Sequence, residues 1–330
     1  MKFIVHAGVH KSGTGTIQAF FAENAAALKE RGVYYPVGFF RKFKWQHSEL
    51  SFAIRRGDLS PVRDFFKHCA RERDEGKIHT VVVSGEELSL LDVDGVRTLR
   101  AEMLASDPGA EVKIILYFRN LYDVSISLIQ HRARRNRWIF RSFRDEKVIA
   151  HSNPSRQIAD FEDVFGEENV TVGIFDTAIL DPGLERHFMQ LAGIEWFDDL
   201  EQTDTRNVSG DLISTAFLNM LSCEYGLSRK VWRVSARAMP QPYVFPILRN
   251  ELIEGLRGAV SSIDVSHPKL QHARSVLTEV TQPSGDHRPE LGEFLDSFEA
   301  MLGEVRIAFD VPSKRAHGVP DEHQPGVHGG

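Results

Sequence analysis

Over the first half of the chain, continuous apolar runs alternate with segments of helical period. Phe3-Ile4-Val5-His6-Ala7-Gly8-Val9 is the first run and reads as a buried strand. After it, Ile17, Phe20, Phe21, Asn24, Ala25 and Leu28 fall on one face of a helix, and Gly32 stands where a helix C-cap glycine belongs. Strands are also expected at 78–84, 111–118 and 170–175, and helices at 61–73, 93–104, 123–137 and 154–165. Strands that are apolar throughout, alternating with helices, predict an α/β fold: three layers, α/β/α, around a central parallel sheet. After about residue 180 the pattern reads mostly helical, for example at 210–225 and 290–309. The stretch 313–330 is rich in Gly, Pro and His without periodicity and reads as a disordered tail. Its His317, His323 and His328 read as solvated tail residues rather than metal ligands.

The turn between the first strand and the first helix carries the clearest chemistry. It reads His10-Lys11-Ser12-Gly13-Thr14-Gly15-Thr16. Backbone N–H groups at a helix N-terminus, small residues that permit close approach, hydroxyl donors and one lysine charge make a phosphate cradle. A Gly/Thr-rich turn also forms with no ligand at all. Lys11 precedes Gly13, whereas the ATP and GTP loop GxxxxGK[ST] places its lysine after the last glycine, and that string occurs nowhere in the chain. GxGxxG is absent from this turn as well. In a parallel α/β sheet, ligands sit at the carboxyl ends of strands. Two further polar groups fall there: Ser84-Gly85-Glu86-Glu87 after the 78–84 run, and Arg119-Asn120 after the 111–118 run.

Arginine offers a planar fork for phosphate oxygens, and a serine hydroxyl adds a directed donor. Ser127 follows Arg119 by eight residues, and helical spacing puts Asp123, Ser127, Gln130 and Arg134 on one polar face. Taken alone, this is equally the pattern of an arginine satisfying a helix end and of an exposed helical serine. The first turn, Lys-Ser-Gly-Thr-Gly-Thr after a first strand, resembles the 5′-phosphosulfate loop of sulfotransferases that use 3′-phosphoadenosine 5′-phosphosulfate (PAPS). Arg119-Asn120 with Ser127 resembles their 3′-phosphate motif. Val83-Ser84-Gly85-Glu86-Glu87-Leu88-Ser89, His47 in Gln46-His47-Ser48-Glu49-Leu50 after Tyr34-Tyr35-Pro36, 170–176, His187-Phe188, Ala192-Gly193 and Arg206-Asn207-Val208-Ser209 resemble a bacterial sulfotransferase-like family. Gly85 and Gly15 depart mildly from that pattern without removing a functional group. The resemblance covers 1–225. It implies one sulfotransferase domain over 1–312, with a helical part at 226–312 where acceptor specificity would reside.

Composition narrows the classes. Of 330 residues, 42% are hydrophobic and 26% charged, as in a globular domain. A net charge of −6 and a pI near 6.2 argue against general nucleic-acid binding. Cys69 and Cys223 are far apart and form no metal-ligand spacing, so no metal site and no disulfide framework is expected. No apolar stretch approaches the length of about 18 residues needed to span a membrane, and no signal peptide is expected before the first strand. A cytoplasmic location is the expectation; oligomeric state is open.

The resemblance assigns roles. His10, Lys11, Ser12, Gly13, Thr14, Gly15 and Thr16 would hold the 5′-phosphosulfate, and Arg119 and Ser127 the 3′-phosphate. Lys11 would neutralise charge on the leaving phosphate. An acceptor hydroxyl needs a general base. Glu86, at a strand end beside the first turn, is the first choice; Glu87 and His47 are the others. Glu86-Glu87 is equally a first-turn carboxylate pair favoured by the helix dipole. The basic, aromatic-interleaved stretch 131–147 reads either as a funnel for polyanions or as a solvated face. A nucleotide-dependent kinase and a non-catalytic nucleotide-binding protein are the alternatives.

Overall fold

A computed structural model describes residues 1–9, 11–40, 45–76, 78–133, 153–176, 183–201, 253–254 and 256–280, with the backbone alone at 129–133. By contact the chain divides into two units, and the first comprises Met1–Ile129, Phe143–Ser209 and Leu252–Gln282. Of the second unit, residues 130–133 alone are among those described. The expected helices at 210–225 and 290–309, the Arg206–Ser209 motif, the 134–147 part of the basic stretch and the 312/313 boundary lie outside the described residues.

The first unit is built on five strands: β1 (Lys2–His6), β2 (Val33–Tyr34), β3 (Thr80–Ser84), β4 (Glu111–Phe118) and β5 (Val170–Ile174). They form one sheet in the order β2-β3-β1-β4-β5, and all four pairings are parallel. All five residues of β3 are buried, as a strand covered on both faces must be. The described helices include α1 (Thr14–Glu23), α2 (Ala25–Glu30), α3 (Ser48–Arg56), α4 (Ser60–Glu75), α5 (Val93–Ser106), α6 (Leu121–Ala133), α7 (Pro154–Phe165), α8 (Leu184–Ala192) and α9 (Arg274–Thr278).

Alternate strand residues sort the layers. Ile4, Val82, Ile115 and Tyr117 join a buried cluster with Ile17, Phe20 and Phe21 of α1 and Phe188, Met189 and Ala192 of α8. On the other face Phe3 meets Phe66 of α4 edge to face at 5.6 Å, and α4, α5 and α7 pack side by side. The fold is the three-layer α/β/α arrangement around a parallel sheet. Helix starts obey local rules. Asp92 caps α5 by accepting from Gly95 N–H at 2.9 Å, and Asn153 caps α7 just before Pro154.

β1 sits in the middle of the sheet. From it the chain runs to β2 at one edge, whereas from β3 it crosses past β1 to β4. The connections after β1 and β3 therefore leave in opposite directions, and the carboxyl ends of these two strands form the switch point where ligands bind in such sheets.

Three elements differ from the sequence pattern. The edge strand β2 has two residues, too few to show any period, and α3 follows it without a strong apolar signal. The helix expected through Asn24 is two helices. Asn24 is buried, and its Nδ2 donates to Phe20 O and to Glu201 O, each at 2.9 Å, while its Oδ1 accepts from Glu201 N–H at 2.9 Å. That side chain competes with the helix ladder and ends α1 there. Gly32 takes the left-handed conformation just past α2, as expected, with φ 79°.

Replacing Asn24 removes three hydrogen bonds and leaves the backbone of Glu201 without them. Asn24→Ala is expected to lower the unfolding free energy by about 2 kcal/mol, net of its better helix propensity. Urea melts would show this as a lower midpoint at unchanged slope. A loss below about 0.5 kcal/mol would mean that the bridge to Glu201 contributes little.

Candidate active site

The loop after β1 continues to hydrogen-bond with β4: Ala7 N–H donates to Ile115 O at 3.1 Å and Val9 N–H to Tyr117 O at 3.3 Å. The chain then turns. Ser12 is fully buried, and both its N–H and its hydroxyl donate to Val9 O, at 3.2 and 2.7 Å. Its hydroxyl shapes the turn and does not face a ligand as the sequence suggested. Lys11 has φ 70°, and among the described residues no other non-glycine is left-handed. Such a backbone costs about 1–2 kcal/mol, strain of the kind that clusters at ligand sites.

Gly13 precedes α1 at φ 81° and provides no side-chain cap. A Cβ there would strike Phe175 and Leu184 at 2.5 Å, so glycine is required by space as well as by φ. Among the described residues no backbone carbonyl accepts from the N–H groups of Gly13, Thr14 or Gly15. The first turn of α1 holds no acidic residue. Among the described residues these N–H groups therefore lack a backbone acceptor, the arrangement that suits an anion. Thr14 is buried and Thr16 half-buried. His10 lies outside the described residues.

Arg119 meets this loop directly. Its Nη1 donates to Lys11 O at 3.2 Å, which ties the end of β4 to the strained residue. The guanidinium lies over the Phe175 ring, 5.0 Å from its centroid. Asp123 stands 3.5 Å from Nη2 and Asp176 4.0 Å from Nε. Asp176 also accepts from Asn120 N–H at 2.6 Å, and burial pushes its carboxyl above the usual carboxylate range. Asn120 starts α6: its Oδ1 accepts from the N–H groups of Tyr122 and Asp123 at 3.0 and 3.2 Å. Ser127 lies about two turns from the start of α6. It is buried rather than on an open polar face, as are Val124, Ser125 and Ile126.

On the other side of β1, Gly85 N–H donates to His6 O at 3.1 Å. Glu86 opens a 3₁₀ turn, Glu86–Leu90, and is half-buried at the same sheet edge as the first loop. Glu87 stands 3.8 Å from Arg55. Gly85 carries a packing requirement: a Cβ would lie 3.0 Å from Ser48 N and 3.1 Å from the His47 carbonyl carbon.

His47 does not serve as an open base. It is buried, its Nδ1 accepts from Ser84 N–H at 3.0 Å, and its Nε2 lies 3.2 Å from Pro36 O, to which it donates. Both ring nitrogens are thus engaged with backbone, and Tyr35, Phe40 and Phe65 surround the ring. The residue ties Pro36 to Ser84 at the end of β3. Arg119 thus contacts the loop at Lys11 O, Glu86 follows the end of β3, the strand beside β1, and His47 belongs to the buried core. Sequence reasoning did not single out Asp176 or Phe175 as partners of Arg119. Their position just past the end of β5, beside β4, was the available signal.

The chain matches no protein-family model and no curated protein. Among solved structures it is similar to the crystal structure of a sulfotransferase from Alicyclobacillus acidocaldarius. The two are 17% identical with a TM-score of 0.39 over 70% of this chain and 98% of that one.

Burial depresses the ionisation of His47 from 6.5 to about 4, so the ring is neutral in the fold. Between these values the unfolded chain binds more protons than the folded one. The stabilisation is thus complete above pH 6.5 and is lost as the pH falls toward 4. His47→Asn should flatten the acid limb of stability by on the order of 2–3 kcal/mol between about pH 6.5 and 4. Urea melts of both proteins across this range test it. Parallel pH profiles would mean that the ring ionises in place.

Proposed function

We propose that this chain transfers a sulfuryl group from PAPS to an acceptor hydroxyl, on a carbohydrate, a glycolipid or another small metabolite. One observation supports this reading most: Arg119, from the end of β4, meets the carbonyl of strained Lys11 in the glycine-rich loop at 3.2 Å. Two cationic residues from separate motifs thereby converge at the switch point of a parallel sheet. The order Lys-Ser-Gly-Thr-Gly-Thr favours this donor over ATP.

In this reading the N–H groups of Gly13, Thr14 and Gly15 with Thr14 and Thr16 bind the 5′-phosphosulfate. Lys11 neutralises the charge that grows on the bridging oxygen. Sulfuryl transfer resembles phosphoryl transfer in its loose transition state, so positioning and charge stabilisation supply most of the rate. Arg119 and Ser127 hold the 3′-phosphate. Asp123 and Asp176 flank Arg119 without closing on it, at 3.5 and 4.0 Å, and keep the fork in place before the nucleotide arrives. Glu86 accepts the acceptor's proton.

Calorimetry with 3′-phosphoadenosine 5′-phosphate, AMP and ATP tests the donor. The bisphosphate should bind far more tightly than the other two; equal affinity for AMP would remove the second phosphate site. Lys11→Ala should reduce turnover on the order of 10²-fold or more with the melting temperature unchanged. Arg119→Ala should act mainly on donor affinity, because the 3′-phosphate does not react. Glu86→Gln should lower kcat by roughly 10²–10⁴-fold at nearly unchanged donor binding. A fully active Glu86→Gln enzyme would exclude Glu86 as the base.

A further inference from the structure

His6 closes β1 directly beneath the loop and is fully buried. Its Nδ1 lies 2.9 Å from Ser84 Oγ, the register partner on β3. Its Nε2 is buried and has no hydrogen-bond partner among the described residues, and the same holds for Thr14 Oγ1. The two orphans face one place. A Cβ on Gly8 would stand 2.8 Å from His6 Nε2 and 2.2 Å from Thr14 Oγ1. The absence of that Cβ is what leaves the space between the histidine and the threonine open. A buried polar atom without a partner is costly, and such atoms are rare in folded proteins. The two atoms are not bonded to one another in this structure; both border the same space beside Gly8, under the loop.

Burial depresses the ionisation of His6 from 6.5 to about 3, so the ring carries one N–H and one lone pair. The neighbouring hydroxyl of Tyr35 donates its proton to Trp45 O at 2.6 Å. Ser84 Oγ has two neighbours that can take its single proton, His6 Nδ1 and the Tyr35 oxygen.

We infer that His6 is a positioning residue for the anion loop, through a chain that closes when an anion binds: Ser84 Oγ–H donates to His6 Nδ1, His6 Nε2–H donates to Thr14 Oγ1, and Thr14 turns its hydroxyl proton toward the bound anion. The direction of the chain follows from valence. Thr14 has one proton. If that proton goes to a phosphate or sulfate oxygen, Thr14 Oγ1 can only accept from His6, and Nε2 must carry the hydrogen. The opposite tautomer, with Nδ1–H on Ser84, would draw the Thr14 proton back to Nε2 and away from the loop. This inference rests on the anion-binding part of the proposed function and does not depend on the nucleotide.

Two measurements on the full chain test it, with inorganic phosphate and 3′-phosphoadenosine 5′-phosphate as probes. In the ligand-loaded protein the ¹⁵N shifts of His6, assigned by comparison with His6→Gln, should show a protonated Nε2 and an unprotonated Nδ1. The reverse pattern would overturn the relay. In a double-mutant cycle, His6→Met and Thr14→Val should each weaken binding of the bisphosphate about tenfold. The double variant should bind no worse than either single one, and His6→Gln, which keeps an N–H near the Nε2 position, should recover most of the loss. Additive losses, or no rescue by His6→Gln, would overturn it. If His6→Met fails to fold, the tautomer measured on the wild-type chain decides. Binding of phosphate without preference for the bisphosphate would sink the sulfotransferase reading and leave the relay standing. Failure of the wild-type chain to bind either probe would sink both.

Discussion

The central position of β1 is the constraint on which the site depends. A strand flanked on both sides has no freedom to tilt, and its neighbours go on holding the chain after the strand ends. Ala7 and Val9 donate to β4, while Gly85 of the neighbouring strand end donates back to His6. The loop therefore leaves the sheet along a fixed path. It reaches Lys11 with its backbone already strained and its carbonyl under Arg119. The rigidity comes from the sheet ladder rather than from the loop's own composition. A Gly/Thr-rich turn with no such rails would pay the full ordering entropy on binding.

Carboxylates and an aromatic ring complete this arrangement around Arg119. Phe175 supports the guanidinium from below and also limits the space at Gly13. The same ring thus sets the arginine and the start of α1. Asp123 and Asp176 hold the fork at distances that leave its hydrogen-bonding directions available. Arg119→Lys would therefore not be conservative here, since lysine has neither the planar face for Phe175 nor the fork.

Much of this was legible in the sequence because the strands are fully buried. Runs such as Val81-Val82-Val83 admit few readings, and their ends mark where polar residues converge. The α/β class, the position of the first loop and the strand-end placement of Arg119 and Glu86 all follow from that. What was not legible depends on contacts distant in sequence. Asn24 looks like one more position on a helical face, and only its bonds to Glu201 show why the helix stops there. His47 looks like a candidate base, and only its enclosure by Tyr35, Phe40 and Phe65 turns it into a buried strut. Ser12 reads as a phosphate donor until its hydroxyl is found on Val9 O. His6, the one polar residue of the apolar run 3–9, gave a signal that periodicity alone does not interpret.

The bridge from Asn24 to residue 201 has a consequence for how the chain is made. One face of β1 is covered by α8, and the turn after α1 is tied to Glu201, with Arg31 paired to Asp199 at 2.7 Å. During synthesis the first strand and helix leave the ribosome long before residues 184–201 exist. Until then, the apolar side formed by Ile4, Val82, Ile115 and Tyr117 lacks one of its two covering helices. The nascent chain must keep that surface from sticking to others while it waits for Leu184–Ala192, a segment that comes well after β4 and farther still after β1 in sequence.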